Sequence, residues 1–153
     1  MDERKDMNEI ILAKKYFELI LDQYPDTDYA LDSSFKLELI IEVMASKEMY
    51  LARYYVQREK WIPAIRRFKK VINEYDTTIY VEEALHRLVE LHYKIGLIEE
   101  SEKYATLLGY NYRSSKWYEA SYKILNKNYN KQNLSKKDTG KNNLLKKFKE
   151  LFN

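Results

Sequence analysis

The chain has no cysteine, and among its 153 residues only two prolines, three glycines and two histidines. Without cysteine this sequence holds no disulfide, no thiolate nucleophile, no cysteine-bound metal and no thioether-linked lipid. The scarcity of proline and glycine leaves few breaks, so long helices are favoured over many short strands. No run reaches the roughly 18 uninterrupted apolar residues of a membrane span. The opening residues, Met1-Asp2-Glu3-Arg4-Lys5-Asp6, are charged and show no hydrophobic signal core. The expectation is a cytoplasmic protein, or a piece whose export signal lies upstream.

What the chain does contain is a near-copy of itself. The run Phe17 to Tyr29 (FELILDQYPDTDY) returns 51 residues later as Phe68 to Tyr80 (FKKVINEYDTTIY). A fainter third copy follows 37 residues on, with Leu108, Tyr112, Ser115 and Trp117 where Val71, Tyr75, Thr78 and Tyr80 stood. Self-similarity at such a period marks a repeat architecture, and repeat proteins of this kind mostly bind other proteins.

Apolar spacing predicts a helix from Asn8 to Tyr24, stopped by Pro25, and then one long helix from Asp28 to about Lys60. A third begins near Trp61 with Pro63 in its first turn, where a missing N–H costs little. A fourth covers about 79–95 and ends at Gly96, a fifth runs from about Ile98 to a stop at Gly109, and a sixth spans about Ser115 to Asn126. In the 34-residue tetratricopeptide pattern an alanine opens the second helix of each pair, an aromatic follows four residues on, and a proline closes the unit. Ala13-Phe17-Pro25 meets all three conditions, Ala64-Phe68 meets two, and Ser101-Ala105 is a degenerate version. The small residue lets two backbones approach and the aromatic fills the gap toward the next pair. The expected fold is all-α: a tetratricopeptide-repeat-like stack of helical hairpins, an α-solenoid with one unusually long helix, over residues 1–126.

Charge divides at the same boundary. Of 27 Lys and Arg and 24 Asp and Glu, residues 126–153 hold eight lysines, Asp138 and Glu150, so residues 1–125 keep 19 basic and 22 acidic side chains. Residues 127–153 therefore read as a basic, Asn- and Lys-rich tail, solvated rather than bound to nucleic acid or an acidic membrane. Leu144, Leu145, Phe148, Leu151 and Phe152 form a short amphipathic pattern within it, read as a loosely docked terminus with a partner or membrane surface as the alternative.

Sites for chemistry are absent from the pattern. His86 and His92 lie six apart on one helix and point about 120° apart, so they make no ligand pair; Glu82, His86 and Glu90 share a face that reads as solvated rather than metal-binding. No glycine-rich phosphate loop and no nucleophile–base arrangement is present, so no catalytic residue, cofactor or metal is expected. The 15 tyrosines, Tyr24, Tyr75 and Tyr112 among them, read as repeat packing rather than base stacking, because a nucleic-acid reader needs a basic body.

The ordered set Ala13, Phe17, Tyr24-Pro25-Asp26-Thr27, Tyr50, Tyr54-Tyr55, Arg58, Trp61, Ala64, Arg67, Tyr75-Asp76-Thr77, Lys94-Ile95-Gly96-Leu97 and Gly109-Tyr110-Asn111-Tyr112 resembles the C-terminal half of the BamD family. The likeness covers roughly residues 8–125. It implies a non-catalytic scaffold of the outer-membrane β-barrel assembly (BAM) complex at the periplasmic face of the bacterial outer membrane. The implied partner is a BamA-like barrel subunit, through its POTRA domain, with other BAM lipoproteins as further contacts and no nucleic acid. The family's lipid tether, export signal and first two repeats are expected on a part not present here. Carried over by position, Arg58 and Arg67 would face acidic POTRA residues, with Trp61 and Arg66 beside them. The alternative is a general tetratricopeptide adaptor holding a peptide in its concave groove. That groove would run through Met49, Arg53, Val56, Glu83, His86, Glu90 and Tyr93; it lacks the asparagine pair of carboxylate clamps and is too acidic for one.

Overall fold

A computed structural model of the chain describes residues 3–126; the basic tail and its amphipathic pattern lie outside the described residues. Among the described residues there are six helices and no strand: α1 (Glu3–Gln23), α2 (Asp28–Gln57), α3 (Trp61–Glu74), α4 (Val81–Lys94), α5 (Ile98–Asn111) and α6 (Lys116–Leu125). Each packs on its neighbour in sequence, and α4 additionally meets α6, as in a stack of helical hairpins. The protein is an all-α, tetratricopeptide-like stack, and α2, at 30 residues, is the long helix.

The sequence repeat is repeated in the hydrogen bonds. At the end of α1 the Tyr24 amide donates to the Ile20 carbonyl at 2.9 Å and Thr27 Oγ1 donates back to the Tyr24 carbonyl at 2.8 Å. The same threonine, Thr27, accepts from the Ala30 amide and caps α2. At the end of α3, Tyr75 bonds to Val71 at 3.0 Å and Thr78 Oγ1 to the Tyr75 carbonyl at 2.7 Å. At the end of α5, Tyr112 bonds to Leu108 at 2.8 Å, and Ser115 caps α6 through the Trp117 amide. A tyrosine that closes the helix and a hydroxyl residue three positions on thus recur at alternate joints, α1–α2, α3–α4 and α5–α6, with the hydroxyl donating to the tyrosine carbonyl at the first two.

Packing follows the small–aromatic pattern. Ala64 and Phe68 are both fully buried, joined by Met49, Ala52, Val71, Ala84 and Leu88 from three helices. At the next repeat Ser101, also fully buried, donates to the Val89 carbonyl at 2.9 Å, so a small residue again permits close contact and satisfies a backbone oxygen. Helix α4 is buried on nearly every side, including both histidines, because α3, α5 and α6 all pack on it.

Two expectations are corrected. Tyr24 is 57% exposed, and Tyr29, Tyr50 and Tyr54 of α2 are exposed as well, whereas Tyr75 is buried: among the described residues α1 packs chiefly on α2, while α3, which Tyr75 closes, lies between α2 and α4. Gly109 does not end α5, which continues through it to Asn111. Its backbone is helical and its role is close approach, since a Cβ there would sit 2.5 Å from Tyr118 Cε2 on α6. Gly96, by contrast, does close α4 as expected, with φ of +85° and Leu97 donating to the His92 carbonyl. Gly109→Ala will lower the unfolding midpoint in urea although alanine favours helix by about 1 kcal/mol. Pairing it with Tyr118→Leu will recover most of the loss, and an alanine variant at least as stable as the parent would remove the contact from the account.

Candidate protein-docking surface

Glu48 sits on the buried face of α2, between Ala45 and Ala52, and is itself only 8% exposed. A carboxylate in that position needs partners, and α3 supplies two: Arg67 Nη1 and Lys70 Nζ each reach it at 2.8 Å. Burial works against ionising Glu48, but the hydrogen bonds and charges of Lys70 and Arg67 outweigh it and hold its pKa below the usual carboxylate range. Arg67 is therefore a structural cross-brace between α2 and α3 with its outer edge in water. Its guanidinium has donors to spare for a second acceptor.

Arg58 lies elsewhere. It follows the last residue of α2, is exposed, and rests its guanidinium 5.0 Å from the Tyr54 ring centroid. It stands ten residues beyond Glu48, about 15 Å along the helix axis, so the structure separates Arg58 from Arg67 rather than joining them. Between them Trp61 opens α3, half-buried, with Lys94 Nζ 4.0 Å over its ring. Arg66 is exposed and points away from the Glu48 brace, being one helical position (about 100°) round from Arg67. Arg58 at the α2–α3 turn and Ile62 and Arg66, four residues apart on one face of α3, form the water-facing part of the α2–α3 edge, whereas Arg67 lies on the flank against Glu48 and Trp61 under Lys94.

The groove lined by α2, α4 and α6 carries its own ion pairs. Arg53 of α2 grips Glu83 of α4 through two hydrogen bonds, Nε to Oε1 at 3.0 Å and Nη2 to Oε2. Arg87 bridges Glu83 and Glu90, with 2.7 Å to Glu90 Oε2, and lies 5.9 Å over Trp117 of α6. For Glu83, burial disfavours charge but Arg53 and Arg87 override it and lower its pKa. His86 is not on a solvated face: it is buried, its Nδ1 2.8 Å from Ser121 Oγ and its ring beside Trp117. The reading of Glu82, His86 and Glu90 as a solvent-facing row fails there, because α6 covers the histidine. Among the described residues no group of three potential ligands gathers to hold a metal ion, and no helix is long and apolar enough to cross a membrane.

Part of this was open to sequence reasoning and missed. Glu83–Arg87, His86–Glu90 and Arg87–Glu90 stand at the i, i+3 and i, i+4 spacings that pair on a helix. Glu48 in the middle of an apolar stripe was a sign that cations lay opposite. The Arg53–Glu83 link, 30 residues apart, had no local signature.

By class the protein is a tetratricopeptide-like helical-repeat stack with ion pairs fixed between its helices. The family model described as YfiO, an outer membrane lipoprotein, matches residues 1–107. The outer membrane protein assembly factor BamD of Rickettsia prowazekii is 43% identical over 128 residues, 84% of this chain and 51% of that protein. BamD of Caulobacter vibrioides is 40% identical over 109 residues, 71% of this chain and 36% of its own length. BamD of Neisseria gonorrhoeae is 37% identical over 82 residues, 54% of this chain and 30% of its own length. The chain belongs to the YfiO outer membrane lipoprotein family, that of BamD, and spans about half the length of its Rickettsia relative or less of the others.

The groove network gives a pH dependence. Glu90 is held at a pKa of about 2: burial opposes its charge, and the His86 ring and Arg87 more than compensate. A folded pKa below the ordinary carboxylate value contributes stability that is present above pH ~4.5 and lost as pH falls toward 2. The wild-type chain will therefore melt at higher temperature than Glu90→Gln at pH 6, and most of that advantage will be gone by pH 3. A gap that stays constant across this range would show that the carboxylate charge adds nothing to the α4 network.

Proposed function

We propose that this chain is a non-catalytic scaffold subunit of the outer-membrane β-barrel assembly complex. In this reading it works at the periplasmic face of the outer membrane and docks on the POTRA region of a BamA-like barrel subunit. The observation that carries it is the family membership, with BamD relatives named as assembly factors for outer membrane proteins and alignment across the stacked helices. The docking strip supports the partner's chemistry. Arg58 and Arg66 offer exposed guanidinium groups, and Arg67 keeps its outer edge free while Glu48 fixes its orientation. An arginine held in place loses less freedom on gripping a carboxylate, and desolvated pairs of this kind change affinity by ~2–5 kcal/mol when broken.

The peptide-groove alternative is disfavoured by the same geometry, because Arg53, Glu83, Arg87 and Glu90 are engaged with one another. A peptide would have to break those pairs to bind. In the same reading residues 1–126 form the docking domain and residues 127–153 a separate basic tail.

Calorimetric titration of the full chain with the purified POTRA region from the same cell tests the proposal. The parent will bind, and Arg58→Glu/Arg66→Glu will weaken binding at least tenfold with an unchanged melting temperature. Arg67→Glu will weaken binding and stability together, since it also sets a second acid against Glu48. No binding by the parent, or undiminished binding by the Arg58/Arg66 variant, would overturn the assignment.

A further inference from the structure

Helix α2 carries an apolar stripe that none of the described helices covers. Leu31, Phe35, Leu39 and Val43 recur every fourth residue, and Tyr50 and Tyr54 prolong the row; each is 42–67% exposed. By helical position Leu31, Phe35, Leu39 and Val43 lie on the side of α2 opposite the buried Ala30 and Ser33. A stripe of this length on one helix exceeds the scattered apolar exposure normal for a surface and marks a docking face.

The charge around it selects the occupant. Residues 7–46, which make up most of α1 and the first half of α2, hold eight acidic side chains and three lysines. Asp28, Asp32, Glu38 and Glu42 flank the stripe itself, with Lys36 tied to Asp32. A second copy of the same face would bring like charges together. A cationic amphipathic segment would satisfy both features, and this chain contains one. Over Lys141–Asn153, Leu144, Leu145, Phe148, Leu151 and Phe152 recur at spacings of one, three and four residues among Lys141, Lys146, Lys147 and Lys149. The chain is long enough to deliver it. Three helix–helix steps of about 8–10 Å separate α6 from α2, and the 14 residues 127–140 span up to ~48 Å when extended.

We propose that the apolar, acid-flanked face of α2 from Leu31 to Tyr54 is the docking surface for the chain's own C-terminal segment Lys141–Asn153. Held there, the segment shields the stripe and competes with any other apolar partner for it. The inference does not depend on the assembly-complex reading, and either can fail without the other.

Because the natural chain lacks cysteine, an engineered pair reports directly. In the full chain, Leu39→Cys/Leu145→Cys will form an intramolecular disulfide at least ten times faster than Ile98→Cys/Leu145→Cys. The control favours failure of the idea, since α5 packs against α6, where the tail begins. Phe35→Asp and 0.5 M salt will each slow the first reaction. Equal rates in the two pairs, or a disulfide that forms chiefly between chains, overturns the proposal; the latter outcome would assign the face to a second copy. A measurement without cysteines or changes in α2 guards against misfolding. Leu144→Ser/Phe148→Ser in the full chain will raise binding of a hydrophobic dye several-fold, and unchanged dye binding also overturns it.

Discussion

The close approach of α2, α3 and α4 at Ala52, Ala64 and Ala84 is the contact on which the rest of the stack depends. Each alanine is fully buried, and the space they leave is filled by Phe68, Met49 and Leu88. Backbones this close leave no room for a larger side chain, and a truncated Phe68 would open a cavity costing about 3–5 kcal/mol. The geometry fixed there sets where α4 lies. From α4 follow the position of α5, through Ser101, and of α6, through Leu85, Leu108 and the Gly109–Tyr118 contact.

Electrostatics is layered on that packing. Carboxylates at Glu48, Glu83 and Glu90 are drawn partly inside; Glu48 and Glu83 are met by cations from an adjacent helix, and Glu90 by Arg87 of its own helix. Such pairs fix the register of one helix on the next more than they add net stability. Arg53, Glu83, Arg87 and Glu90 in the α2–α4–α6 groove are engaged with one another, whereas Arg58 and Arg66 at the α2–α3 edge are exposed.

Much of the fold was legible because the repeat is written in the sequence at two levels. Alanine–aromatic spacing at Ala13-Phe17, Ala64-Phe68 and Ser101-Ala105 placed the second helices, and the Tyr–Thr joints placed the turns. What resisted reading depended on contacts across the stack. Gly109 looked like a helix stop because glycine ends helices more often than it clears room for a neighbour's ring, and Tyr118 is visible as that neighbour only once α6 is folded back. His86 looked solvent-facing because its burial comes from Trp117 and Ser121, more than 30 residues away. The partner strip was assembled by family position; local sequence could show neither the Glu48 brace nor the distance between Arg58 and Arg67.

The central claim is that this stack meets its partner along the α2–α3 edge. A photoreactive amino acid at Ile62, exposed in the middle of that edge, tests it inside the cell that makes the protein. The account predicts an adduct with the barrel subunit's POTRA region from position 62 and none from position 98, on the α5 side of the stack. Cross-links to that subunit from position 98 alone, or from neither position, would contradict it.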